Sequence, residues 1–338
     1  MNALSASVAR RLMLIVLLAS VSVAGCTRFP LKDSRVLMGT EIEITVHAVD
    51  GRMSRSRVLA VIDSAFAEVK RIEELCKWKE LSRLNGYAGF QDAHIGSELI
   101  GLIYHAYDIS ERTQGAFRPD IGPLVDLWQI GTINARIPEI HEVDAALDIM
   151  DRTVFYPTDS VRARLEPSRA SIELGAIAKG YAVDRACEVL QDLGVTAGMV
   201  WAGGDLRTFG GKPDGTPWRI AIRHPRNPSE FLRVLEIGEA AVATSGDYER
   251  FSELEGGRYC HIFDPWEGAP SRASVSATVV METCMDADAY STALFVLGPE
   301  EGIALAEQLG IAALVAGEVA DDLLTFETHD FNTVASER

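Results

Sequence analysis

Residues Ile172 to Asp184 read IELGAIAKGYAVD, and this run organises the chain. It opens as a short apolar strand with one acid, Glu173, and passes through the small residues Gly175 to Ala178. Lys179-Gly180 follows, at the start of a helix that reads to about Leu193. Small residues let a ligand approach the backbone closely. A helix N-terminus offers free N–H groups and positive partial charge, and a lysine adds a full charge. Together these features make a phosphate cradle. The spacing differs from Gly-x4-Gly-Lys-Ser/Thr and from Gly-x-Gly-x-x-Gly. A well-packed turn with a solvated lysine has the same local pattern.

Working outward, helices come early and late, with strands clustered between them. Val36 to Val49 alternates as a strand or hairpin arm, with Met38-Gly39-Thr40 inside it. Ser54 to Cys76 and Ser97 to Thr113 carry helical spacing of apolar residues. Gly115 to Gly131, GAFRPDIGPLVDLWQIG, reads as loop-rich, and His141 to Met150 as a short helix. Ala197–Ala202, 218–223, 232–237, 241–243, 259–263 and 275–281 read as strands. Helices follow over 287–297 and 299–309, and strands over 311–316 and 323–327 close the chain. This order is α+β or mixed α/β, not the regular alternation of a doubly wound sheet.

The first 25 residues resemble an export signal. Arg10 and Arg11 precede an apolar run from Leu12 to Val23, and Val23-Ala24-Gly25-Cys26 ends it. The layout is secretory, and the apolar core is short for a membrane span. Small residues directly before a cysteine form a bacterial lipobox. Cleavage before Cys26 and its lipidation would tether the protein to a membrane, facing the periplasm or cell exterior. An ordinary signal that happens to end in cysteine is the alternative. Expected boundaries are a signal over 1–25, a tether over 26–34, one functional domain over 35–330 and a tail over 331–338.

The chain carries net charge −17, about −19 once the signal is removed. That argues against nucleic acid as a partner. Cys76, Cys187, Cys260 and Cys284 are scattered without C-x-x-C spacing, which argues against a zinc or iron–sulfur site. An oxidising exterior would permit disulfides, and the sequence selects no pairing.

Asp288 and Thr292 lie four residues apart in ADAYSTALFVLG. On a helix they share one face, a carboxylate above a hydroxyl. Both are hard oxygen donors suited to Mg²⁺ alongside waters and phosphate oxygens. An acid near a helix N-terminus and a threonine bonding its own turn would give the same pair.

Five runs stand in one order: IELGAIAKGYAVD, then AGGDLRTFG from Ala202, ATSGDYERF from Ala243, RYCHIFDPWEGAP from Arg258, and ADAYSTALFVLG. VLMGTEIEITV near the start and GAFRPDIGPLVDLWQIG add two more. This ordered set resembles the ApbE family, the FAD:protein FMN transferases, from about Arg35 to Phe326. The resemblance implies mixed, mainly antiparallel sheets with packed helices in two lobes around a central nucleotide site. It implies Mg²⁺-dependent transfer of FMN from FAD to a Ser or Thr hydroxyl of a target flavoprotein, releasing AMP. The metal ligands it implies are Asp288, Thr292 and the backbone carbonyl of Ala176. Lys179 and Glu173 would contact flavin nucleotide, with Met38, Trp78, Ala116, Phe117, Arg118 and Ile262 lining the site.

Such chemistry needs a base for the acceptor hydroxyl. His261 has the titration range for it, and Asp247 in SGDY is a second candidate or an orienter. A packed histidine bonded to Asp264 is the alternative for His261. The chain also departs from the family pattern. Glu173 stands where Asp is usual, and Arg118 stands where Asp follows Phe in most relatives. Ser291 replaces an acid that some relatives carry, and Trp266-Glu267 replaces Arg-Thr in DPRTG. Hydrolysis of FAD to FMN and AMP, a flavin-binding lipoprotein without turnover, and a transporter's substrate-binding lipoprotein are the competing readings.

Overall fold

The computed structural model describes residues 29–320 and 322–335. Eight strands form its central sheet in the order Leu31–Leu37, Thr40–Val49, Val195–Ala202, Asp205–Phe209, Ala240–Gly246, Ser276–Met281, Ala312–Val319 and Asp322–Glu327, with every neighbouring pair antiparallel. β1 (Leu31–Leu37) and β2 (Thr40–Val49) are joined by Met38-Gly39, with φ of 53° and 78°. Two consecutive positive φ values suit a two-residue hairpin, and the glycine adopts its value without strain.

The helices follow from the apolar spacing. α1 (Arg55–Glu73) is capped by Ser54 and buries Val58, Val61, Ile62, Ala65, Phe66, Val69 and Ile72, one stripe at 3–4 spacing. A π turn (Glu74–Trp78) continues it into α2 (Glu80–Gly86); the side chain of Trp78 lies outside the described residues. β3 (Ala93–His94), α3 (Ser97–Arg112), α4 (Gly122–Trp128) and α5 (Ile140–Asp151) come next. They lead to a hairpin of β4 (Val154–Asp159) and β5 (Arg162–Glu166). α6 (Ala178–Asp192) then enters the sheet through β6 (Val195–Ala202) and β7 (Asp205–Phe209).

β8 (Trp218–Arg223) and β9 (Phe231–Ile237) form a separate hairpin before β10 (Ala240–Gly246). Two short hairpins follow, β11 (Phe251–Leu254) with β12 (Gly257–Cys260), and β13 (Phe263–Asp264) with β14 (Ala269–Pro270). β15 (Ser276–Met281), α7 (Cys284–Leu309), β16 (Ala312–Val319), β17 (Asp322–Glu327) and α8 (His329–Val334) complete the chain. α7 kinks where the sequence breaks it, at Gly298 (φ 83°) before Pro299.

The principal core joins Ile42, Ile44 and Val46 of the sheet to α1, α6 and α7. A second core packs Leu206, Val242 and Leu314 under the β8–β9 hairpin and Phe331 of α8. A third gathers Leu124, Trp128, Met150 and Phe263. The mixed, mainly antiparallel architecture therefore matches the expectation.

Four expectations are corrected. Residues 31–34, expected as tether, lie in β1, where Leu31 is buried. Residue 331, expected in a tail, is fully buried in the second core. The GAFRPDIGPLVDLWQIG run, read as loop-rich, contains α4, with Pro123 in its first turn. Ile172–Leu174, expected as a strand, joins no sheet. The Ile172 N–H donates to the Asn85 side chain (2.9 Å) and the Glu173 N–H to the Pro119 carbonyl (2.7 Å). Cys26 and the signal lie outside the described residues. The four later cysteines are buried free thiols.

Candidate active site

The start of α6 meets the first turns of α7, and polar groups converge there. Lys179 on α6 bonds the Asp205 carboxylate, at the head of β7, and Oδ1 of Asp288 on α7 (3.0 Å). The Gly180 N–H donates to the other oxygen of Asp288, Oδ2 (3.1 Å). In an uninterrupted helix that N–H would point back to the Ala176 carbonyl. Gly180 is required by packing: a Cβ there would collide with the Cys284 carbonyl of α7. One turn beyond Asp288, the Thr292 hydroxyl lies 3.2 Å from Ser245 Oγ of β10, which also bonds Ser291 Oγ (2.8 Å). Thus Lys179 and Asp288, 109 residues apart, meet directly, and Thr292 follows one turn along α7 from Asp288.

Asp205 was not foreseen as a site residue. Its signal in the sequence is the bare turn Gly203-Gly204 just before it. Gly203 (φ 61°) has no room for a Cβ against Thr40, so Thr40 packs against the turn that precedes Asp205. Met38 itself is half-buried against the principal core.

The electrostatics of the cluster are lopsided. The Asp205 and Asp288 side chains are each 3% exposed, while Lys179 keeps 32%. Burial opposes the lysine's charge, but the two carboxylates outweigh it and raise its pKa, so Lys179 stays cationic at neutral pH. Burial and the nearby Asp288 carboxylate raise the pKa of Asp205, against the pull of Lys179. Two acids facing one base crowd negative charge in a poorly solvated place, and the raised pKa of Asp205 is the response.

His261 follows β12 and donates from Nδ1 to the Arg250 carbonyl (3.1 Å). A carbonyl only accepts, so Nδ1 carries the hydrogen and Nε2 keeps its lone pair. Burial, helped by the Arg250 and Lys179 charges, lowers the imidazole pKa to about 4. His261 is therefore neutral at pH 7 and feels the charge of the cluster. No bond to Asp264 forms; that carboxylate instead accepts the N–H groups of Trp266 and Glu267 (2.8 and 3.0 Å). Glu173 accepts from the Gly175 N–H (2.7 Å), and burial raises its pKa. Its extra methylene over Asp thus reaches the turn that precedes α6.

Other expected site residues are occupied elsewhere. Arg118 donates to both oxygens of Asp120 (2.8 and 3.0 Å), to Asp151 (3.2 Å) and to the Met150 carbonyl (2.9 Å). Asp247 is gripped through both oxygens by Arg226 (2.7 Å each), which also bonds Glu318. Ala116 and Phe117 lie in the principal core, and Ile262 is buried beside His261.

A family model described as the ApbE family matches residues 38–315. The chain belongs to the ApbE family. A relative in Vibrio cholerae named FAD:protein FMN transferase is 32% identical over 332 residues, covering 96% of this chain and 98% of that one. An Escherichia coli K12 relative of the same name is 26% identical, covering 88% and 86%. Among ApbE structures, the Thermotoga maritima protein superposes with TM-score 0.82 at 29% identity, covering 91% of this chain and all of that one. The Vibrio cholerae flavin transferase ApbE superposes with TM-score 0.78 at 30% identity, covering 90% and 99%.

Proposed function

We propose that this ApbE-family chain is an FAD:protein FMN transferase whose reaction centre is the α6–α7 junction. The acceptor is a Ser or Thr hydroxyl of a flavoprotein, and the second product is AMP. The observation that carries this reading is the convergence of Lys179, Asp288 and Thr292, in a chain similar along nearly its whole length to proteins of that name.

The donors suit Mg²⁺. They are oxygens only: the Asp288 carboxylate, the Thr292 hydroxyl and the Ala176 carbonyl. Among the described residues no group of three or more His, Cys, Asp or Glu stands ready for a metal. A site with few charged ligands leaves positions for water and phosphate oxygens, as Mg²⁺ prefers. The unbalanced charge of Asp205 and Asp288 favours a cation there. When bound, the ion would neutralise charge on the diphosphate.

The chain's own groups account for the rest. Lys179, held cationic by its two acids, places a positive charge where the diphosphate lies. His261 Nε2 accepts the proton of the acceptor hydroxyl. The hydroxyl oxygen bonds the FMN phosphorus, and the anhydride bond breaks with its bridging oxygen leaving on AMP. Positioning supplies most of the rate, because the anhydride is already activated.

Lipidation of Cys26 would hold this chemistry at a membrane outside the cytoplasm; the lipobox and the charged, apolar signal support that placement. Incubation with FAD, Mg²⁺ and a candidate flavoprotein tests the transfer. Covalent FMN on the acceptor is expected. Free FMN and AMP with an unmodified acceptor would favour hydrolysis instead.

A further inference from the structure

Asp184 closes the IELGAIAKGYAVD run and touches none of the groups assigned to ligands. It is buried, and its carboxylate is fully engaged by two elements. Oδ1 accepts from the Cys284 N–H (3.0 Å) and from Arg207 of β7 (2.7 Å). Oδ2 accepts from the Met285 N–H (2.9 Å). The first N–H groups of a helix have no partner within it. Those of α7 are all accounted for. Asp184 takes Cys284 and Met285, the Thr283 hydroxyl takes Asp286 (3.2 Å), and the Thr283 carbonyl takes Ala287 (3.2 Å).

Gly180 and Asp184 are one turn apart on α6, and Cys284 and Asp288 are one turn apart on α7. Gly180 holds Asp288 through its N–H, while Asp184 holds the Cys284 end. The two contacts tie α6 to α7 at two points, one turn apart on each helix. Arg207 adds a third point, two residues after Asp205 on the strand that presents it.

We propose that Asp184, oriented by Arg207, is a positioning residue that sets Asp288 and Thr292 against Lys179 and the Ala176 carbonyl. Resting on the functional reading above, it makes the geometry of the cation site depend on a carboxylate that never touches the cation. Partners bonded directly to metal ligands change metal affinity by about 10–100-fold, and Asp184, which acts through the helix that carries the ligands, is expected at the lower end of that range.

Titrating Mg²⁺ into the full chain with FAD present, followed by calorimetry, reads binding without turnover. Circular dichroism at the same temperature checks folding. Asp184→Ala is expected to raise the Mg²⁺ midpoint by about tenfold or more. Asp184→Asn, which keeps one acceptor, should fall between it and wild type. Phe331→Leu, a core truncation on the far side of the sheet, should leave the midpoint unchanged. If Asp184→Ala does not fold, Asp184→Asn and Arg207→Gln carry the test with the same expected direction. Folded variants at the wild-type midpoint would overturn the positioning role alone. So would an equal shift in Phe331→Leu. A wild-type chain that binds no Mg²⁺ with FAD would overturn the functional reading and this role with it.

Discussion

The α6–α7 junction and the GAFRPD loop both carry charges that the sequence marks for nucleotide binding, and the fold treats them oppositely. At the junction, Asp205 and Asp288 face one lysine, and the crowding of the two buried acids raises the pKa of Asp205. In the loop, Arg118 is balanced by Asp120 and Asp151, so the reversal from the family's usual acid is absorbed locally. A charged residue at a family position is thus available to a ligand only if the fold leaves its charge unspent. Asp247, paired with Arg226, falls on the loop's side of that contrast.

The largest expected effect separates the two regions. Asp288→Ala should reduce FMN transfer by about 10³-fold or more, since charge stabilisation at the reacting group is lost. Transfer assayed by acceptor-bound flavin fluorescence would break the contrast if it persisted. His261→Gln comes next, with an expected loss of about 10²-fold or more in kcat. The pH profile sharpens this assignment. Protonation of Nε2 removes the base as pH falls, and burial holds that step near pH 4 rather than at an ordinary histidine value. Activity should therefore hold down to about pH 5 and drop below it. An acid limb near 6.5 would place the base elsewhere.

Arg118→Gln should act on stability instead, lowering it by about 1–3 kcal/mol by leaving the nearly buried Asp120 short of its partner. Thermal unfolding should shift while KM for FAD stays near wild type, and a large KM change would restore Arg118 to the nucleotide site. Asp247→Asn is the smallest expected change, within about 1 kcal/mol of stability, because Arg226 is partly exposed and keeps Glu318. A loss of kcat comparable to His261→Gln would make Asp247 a participant.

Much of this was legible in the sequence, for identifiable reasons. Helices and strands with strong periodicity, among them α1, α3 and β15, fall where the apolar spacing puts them. So does the break at Gly298-Pro299. The pairing of Lys179 with Asp288 came from the order of the blocks, and the geometry supplies the bond. What escaped was set by tertiary partners. Ile172–Leu174 has the composition of a strand, yet Asn85 and Pro119 take its backbone bonds. Asp205 carried only the signal of the Gly203-Gly204 turn before it, and its partner Lys179 lies 26 residues away in the chain. The pairings of Arg118 with Asp151 and of Asp247 with Arg226 were not legible, because those partners are distant in the chain. Phe331 looked like tail because its burial depends on the β8–β9 hairpin.

The measurement closest to the central claim is the mass of an acceptor flavoprotein after incubation with the chain, FAD and Mg²⁺. The account predicts a gain equal to one esterified FMN, stoichiometric AMP, and no gain with Asp288→Ala or with Mg²⁺ chelated. An unmodified acceptor alongside released FMN, or a full gain with Asp288→Ala, would contradict it.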